Sequence, residues 1–181
     1  MKAVITLVTG GARSGKSRYA LELAAASPRP ALIATAEPID AEMSDRIRRH
    51  REERGDRYLT IEEPVDLAAA LTRLPQGTGT AVVDCLTVWL GNLVHRRGEE
   101  AVAEEPHALA EVAAFLSALA APPCPLVLVT NEVGMGIVPA NALARSFADL
   151  AGRLNQAIAA RAERVVLMVC GLPVMVKGAA G

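Results

Sequence analysis

Residues 3–17 read Ala3-Val4-Ile5-Thr6-Leu7-Val8-Thr9-Gly10-Gly11-Ala12-Arg13-Ser14-Gly15-Lys16-Ser17. An apolar, β-branched run gives way to a glycine turn, and Gly10 to Ser17 satisfy the GxxxxGK[ST] pattern of a phosphate-binding loop. A strand feeding such a turn and then a helix aims backbone N–H groups, a helix N-terminus and Lys16 at one polyphosphate. Gly10 and Gly15 allow close backbone approach, with Gly11, Ala12, Arg13 and Ser14 between them. Lys16 neutralises the β/γ-phosphates, and Ser17 offers a hydroxyl to Mg²⁺. The stretch predicts a nucleoside triphosphate site. The alternative, a glycine turn capping an ordinary helix, leaves the lysine and the serine without a task.

Outward from this loop, short β-rich runs alternate with longer helical patterns, the mark of a parallel sheet covered on both faces. The pattern predicts strands near 3–9, 31–35, 57–61, 80–84, 126–130, 164–170 and 173–177. Helices are predicted near 16–26, 40–54, 65–73, 86–95, 104–120 and 141–162. Gly171-Leu172 is too short for a parallel crossover, so the last two strands should form an antiparallel hairpin at the sheet edge. The 181 residues are expected to form one nucleotide-binding catalytic domain, 1–181.

Composition excludes several function classes. The formal net charge is −1 with acids and bases interspersed, so there is no basic footprint for nucleic acid and no polybasic membrane segment. The apolar stretch from Ala108 to Val129 is interrupted by Glu111 and split by Pro122, Pro123 and Pro125, which predicts a buried helix and strand instead of a membrane span. Cys85, Cys124 and Cys170 lie in apolar surroundings without metal-ligand spacing, and are expected to be reduced core residues of a cytoplasmic protein.

Further candidates fall at strand ends, where ligands bind in open α/β sheets. Thr80-Ala81-Val82-Val83-Asp84 is an apolar strand ending in an acid. Asp84 is read as a Mg²⁺ or nucleotide carboxylate opposite the phosphate loop, with a helix cap as the alternative. The segment Asp40 to Arg54 reads as a charged helix with Asp40 as N-cap and an apolar stripe at Met43 and Ile47 that His50 continues. His50 is either partly packed against the sheet or a nucleophile whose imidazole attacks phosphorus, and the local pattern leaves both open. Thr130 to Pro139 carries two glycines, a carboxylate and an amide. It is read either as a substrate-facing loop or as a plain connection capped by Asn141.

Taken in order, these segments resemble the bifunctional adenosylcobinamide kinase / adenosylcobinamide-phosphate guanylyltransferase family of cobalamin biosynthesis. The resemblance runs through Val8 to Arg18, Ile33-Ala34-Thr35-Ala36, Glu42-Met43 to Arg46-Ile47 and His50, then Val83-Asp84-Cys85-Leu86-Thr87. It continues in Thr130 to Pro139, Leu143-Ala144-Arg145 and Gly152-Arg153-Leu154-Asn155-Gln156. Thr130 to Pro139 is its most diagnostic run.

The resemblance implies a RecA-like P-loop three-layer fold and two reactions. In the first, ATP or GTP phosphorylates the aminopropanol hydroxyl of adenosylcobinamide. In the second, His50 takes GMP from GTP and passes it to adenosylcobinamide phosphate. Guanine-nucleotide contacts are implied at Gly10 to Ser17, at Thr35, Ala36 and Glu37, at Arg51, Glu52, Glu53 and Arg54, and at Glu62 and Asp84. Mg²⁺ is expected on Ser17 and Asp84, and a homo-oligomer, a trimer, is implied. Trp89, Leu90 and Met135 are candidate apolar contacts for the corrinoid at a subunit boundary, with core packing as the alternative. The competing readings are a small-molecule kinase without nucleotidylyl transfer and a non-catalytic nucleotide switch.

Overall fold

In the computed structural model, the described residues are 3–38, 45, 48 and 57–179. Of the predicted 40–54 helix only Asp45 and Arg48 are among them; its Asp40 cap, His50, Arg51, Glu52, Glu53 and Arg54 lie outside. Strand β1 (Ile5–Gly10) leads through the phosphate loop into α1 (Lys16–Ala25). There follow β2 (Ala31–Ala34), β3 (Leu59–Glu62), α2 (Leu67–Thr72), β4 (Ala81–Asp84) and α3 (Leu86–Arg97). Next come α4 (Ala110–Ala118), β5 (Leu126–Val129), α5 (Ala142–Arg161), β6 (Arg164–Val169) and β7 (Leu172–Lys177).

The seven strands form one sheet in the order β3-β2-β4-β5-β1-β6-β7, parallel except for the antiparallel β6–β7 pair. Side chains alternate across it, as strand geometry requires. Ile5, Leu7, Ile33, Val83 and Leu128 join the larger core with residues of α2, α3, α4 and α5, while Val8, Leu32, Val82, Val127 and Val129 join a smaller core with Ala20 and Ala24 of α1. This is the three-layer P-loop architecture expected from the sequence. The strand of the acid, β4, is separated from β1 by β5, the RecA-like arrangement.

Two segments depart from the prediction. The expected 104–120 helix is α4 alone, preceded by 3₁₀ turns at Glu99–Ala103 and Pro106–Ala108. Pro106 lacks an N–H to continue a helix, and Leu109 at φ −76°, ψ 116° is extended, which breaks the path before Ala110. Cys170 is exposed, contrary to the core role expected of it, whereas Cys124 is buried. The β6–β7 hairpin turns on Cys170 at φ 52° and Gly171 at φ 81°. Two successive positive φ values suit the twist of a two-residue hairpin, and such a tip faces water. Among the described residues no helix is long and apolar enough to cross a membrane.

Beyond β3, Glu63 ties the chain down: its Oε1 accepts from the N–H groups of Val65 (3.0 Å) and Asp66 (2.9 Å), and its Oε2 accepts from Arg73 at 2.6 Å. Burial alone would push this carboxyl up, but the two backbone hydrogen bonds and Arg73 outweigh it and hold it below the usual carboxylate range. A carboxyl depressed in the folded state adds stability above its unfolded pKa, and that stability is lost as pH falls through the folded value. Glu63→Gln keeps an oxygen for the backbone donors but loses the charge. It is expected to cost about 0.5–1 kcal/mol at pH 7 and nothing once the wild-type carboxyl is protonated, so urea midpoints of the two proteins should converge in acid.

Candidate active site

The phosphate loop is built against the C-terminal hairpin. Gly10 has φ 145°, and a Cβ there would stand 2.6 Å from the Met168 carbonyl oxygen on β6. Gly15, at φ 93°, would bring a Cβ to 3.3 Å from Cα of Gly171 in the β6–β7 turn. The Gly171 N–H donates to the Ser14 carbonyl at 3.1 Å. Glycine is therefore required at both loop positions by conformation and by crowding together. Lys16 is 7% exposed, and its ammonium donates to the Gly11 carbonyl at 2.5 Å and lies 3.5 Å from Ser14 Oγ. The start of α1 has neither a capping side chain nor an acid in its first turn. Its N–H groups thus face the loop, as an anion site requires.

Sheet register aligns the remaining candidates. Glu62 pairs with Ala34, Ala34 with Asp84, Asp84 with Val129, and Val129 with Val8. Asp84 and the strand feeding the loop thus flank β5, their backbones about 10 Å apart at two strand spacings. Glu62 lies two strands beyond Asp84, exposed at the end of β3. Asp84 is half-buried and is not the cap of α3. Cys85 holds that position, its Sγ accepting from the Val88 N–H at 3.4 Å. Ser17 and Asp84 provide oxygen donors only, and among the described residues no cluster of three or more His, Cys, Asp or Glu residues forms a metal cage. A hard cation completed by phosphate and water suits such a donor set.

The segment after β2 is used differently along its length. Thr35 is fully buried, its hydroxyl donating to the Cys85 carbonyl (2.9 Å) and accepting from the Cys85 N–H (2.8 Å). Asn92 of α3 adds bonds to the carbonyls of Thr35 (2.8 Å) and Pro64 (3.1 Å). Thr35 therefore fixes the exit of β4. Ala36 and Glu37 are half-buried, and the Glu37 carboxylate pairs with Arg96 at 2.6 Å.

A second set of side chains gathers at the tip of β5; the sequence marked their segments but not their contacts with one another. The Asn131 N–H donates to Thr87 Oγ1 (2.9 Å), which lies 3.2 Å from Thr130 Oγ1, and Thr130 donates to Asn155 Oδ1 (2.8 Å). The Asn155 amide then donates to the Asn131 carbonyl (3.1 Å) and to Glu132 Oε1 (3.3 Å). Thr9 Oγ1 donates to the same carboxylate oxygen at 2.6 Å, and the Glu132 N–H reaches the Gly10 carbonyl at 3.2 Å. The Thr130 to Pro139 loop is thereby fastened to the phosphate loop. Asn141 caps α5, accepting from the Ala144 N–H at 3.1 Å, as the plain-connection reading of this segment expected.

Trp89 and Leu90 are fully buried, and Trp89 packs edge-on against Phe115 with ring centroids 5.3 Å apart. They are core residues and cannot contact a corrinoid at the surface. Their helix shows why: Leu86, Trp89, Leu90, Leu93 and Val94 form its buried stripe at helical spacing. Met135 is 72% exposed, with Ile137 at 98% and Val138 at 76% beside it. Next to this loop lies a cavity of about 640 Å³, walled by Val94, Val102, Val133, Leu143 and Phe147.

Known proteins resemble this chain along nearly its whole length. The family model described as "Cobinamide kinase / cobinamide phosphate guanyltransferase" matches residues 6–176. The bifunctional adenosylcobalamin biosynthesis protein CobP of Pseudomonas aeruginosa is 45% identical over 95% of this chain and 96% of its own length. The corresponding CobU proteins of Salmonella typhimurium and Escherichia coli are each 40% identical over 96% of this chain and all of theirs. Among solved structures, the P4 protein of bacteriophage phi6 in complex with ADP has a TM-score of 0.46 at 19% identity, covering 94% of this chain and 52% of that one. That likeness is too distant to bear on chemistry. A phosphate loop, an acid across one strand and matches along nearly the whole length converge: this chain belongs to the cobinamide kinase / cobinamide phosphate guanyltransferase family.

Proposed function

We propose that this chain carries out both transfers of its family, first phosphorylating the aminopropanol hydroxyl of adenosylcobinamide with ATP or GTP, then converting the product to adenosylcobinamide-GDP. The observation that carries this reading is the phosphate loop with buried Lys16 at its centre and Asp84 two strands away. Backbone N–H groups of Gly10 to Ser17 and the Lys16 ammonium hold the polyphosphate and offset the charge that develops on it. Ser17 and Asp84 hold Mg²⁺, which supplies charge neutralisation between the phosphates when bound. Ala36, Glu37, Glu62 and Arg51 to Arg54 contribute to guanine-nucleotide binding, with Thr35 holding the neighbouring backbone in place.

In the guanylyl step a neutral His50 nitrogen attacks the α-phosphorus of GTP, the bond to the β-phosphate breaks, and pyrophosphate leaves. A phosphate oxygen of adenosylcobinamide phosphate then attacks the same phosphorus and frees His50. Only an unprotonated imidazole can attack, so guanylylation falls as pH drops through the His50 pKa. The reading includes a cytoplasmic homotrimer, and light scattering measures the assembly directly.

The test is the intact mass of the protein after incubation with Mg²⁺-GTP, for wild type and His50→Ala, with ATP in parallel. A gain of one GMP unit in wild type only is expected. No gain in either protein, with nucleotide still bound, would leave a small-molecule kinase without nucleotidylyl transfer.

A further inference from the structure

The structure assigns Glu132 as the catalytic base of the kinase step, the group that takes the proton from the acceptor hydroxyl; this rests on the kinase reading above. Three observations place it. Its N–H bonds the Gly10 carbonyl at the entry to the phosphate loop. Its strand, β5, runs between β1 and β4, so Glu132 leaves the sheet between the strand that feeds the phosphate loop and the strand that ends at Asp84. Its carboxylate is held by one oxygen: Oε1 accepts from Thr9 (2.6 Å) and Asn155 (3.3 Å), and Oε2 has no partner among the described residues.

The polar chain behind it fixes this orientation. Thr130 donates to Asn155 Oδ1, which leaves the Asn155 NH₂ as the only end able to face Glu132. Other acids nearby have different engagements. Glu37 pairs with Arg96, Glu63 is bound by two backbone N–H groups and Arg73, and Asp84 is the carboxylate suited to the metal. The acceptor also has room beside Glu132, because the apolar cavity of about 640 Å³ begins at Val133, the next residue.

In the step, the acceptor O–H bond breaks and its proton passes to Glu132 Oε2. The acceptor oxygen bonds the γ-phosphorus, the bond from that phosphorus to the β,γ-bridging oxygen breaks, and the nucleoside diphosphate leaves. Glu132 then gives the proton to water.

Glu132→Gln separates proton transfer from scaffolding, because Gln keeps an oxygen to accept from Thr9 and Asn155. Phosphorylation of adenosylcobinamide by Mg²⁺-ATP is measured in the full chain for wild type, Glu132→Gln and Glu132→Asp, with the thermal midpoint and the GMP mass gain from Mg²⁺-GTP recorded alongside. The expected result is a fall of about 10²–10⁴-fold in the phosphorylation rate for Gln, a smaller fall for Asp, and an unchanged midpoint, with the GMP gain retained. Undiminished phosphorylation in Glu132→Gln overturns the assignment. So does loss of both transfers in parallel, which would make Glu132 a scaffold of the loop. Wild type that gains GMP yet phosphorylates no corrinoid overturns the kinase reading itself, and the assignment with it.

Discussion

Lys16→Ala is expected to lower both transfers by about 10²–10³-fold, the usual cost of losing one preorganised charge-stabilising donor, while the fold survives. The side chain is 7% exposed, and its ammonium leans on the Gly11 carbonyl of its own loop. A cation so placed is held ready for phosphate and sheds little water when phosphate arrives. Alanine favours the first turn of α1 and offsets the lost hydrogen bond to the Gly11 carbonyl, so the thermal midpoint should stay close to that of wild type. Lys16→Arg should not rescue the enzyme, because a planar fork does not replace a compact ammonium in a closed loop. The measurement is the initial rate of each transfer beside the thermal midpoint. Equal loss of rate and midpoint would mean that Lys16 builds the loop and does not act in it.

The second large effect is on stability. Trp89 is fully buried, stacks edge-on against Phe115, and donates its indole N–H to the Val65 carbonyl at 2.7 Å. Trp89→Ala removes the largest side chain of the main core and leaves that carbonyl without its donor. A loss of about 3–5 kcal/mol is expected, a large share of the roughly 5–15 kcal/mol that holds an ordinary domain together. Trp89→Phe retains most of the packing and loses the hydrogen bond, so about 1–2 kcal/mol is expected from it. Because the chain has one tryptophan, the variants are compared by urea denaturation followed by circular dichroism. A midpoint unmoved in Trp89→Ala would contradict its burial.

Features carried by neighbouring residues were legible in the sequence. The run into Gly10 predicts β1, the loop and α1, and the brevity of the link near Gly171 predicts the antiparallel pair. Each depends on local sterics and period. What depends on partners far along the chain was not legible. Nothing near Val129 states that it will lie between Val8 and Asp84, and nothing near Thr9 or Thr87 states that they will meet Asn131, Glu132 and Asn155. Those hydroxyls acquire meaning only from the register of three parallel strands and one long helix. Trp89 is a different case. Its helical stripe was present in the sequence, but a large aromatic is equally at home in a core and at a binding surface, and only burial distinguishes them. Pro106 carried the break before α4 in plain view, yet the apolar composition around it favoured one continuous helix.

Residues 10–17 leave the ribosome well before β5 and β6, the strands on either side of the one that presents them, and their backbone is shaped by Met168 and Gly171. A nascent chain carrying the whole motif therefore has no competent nucleotide site until the β6–β7 hairpin emerges. Nucleotide cannot act as an early template for folding, and the binding signature should appear late and all at once, as expected where the decisive contacts are distant in sequence. Translation stalled before β6 would yield a chain with every residue of the loop and no grip on phosphate.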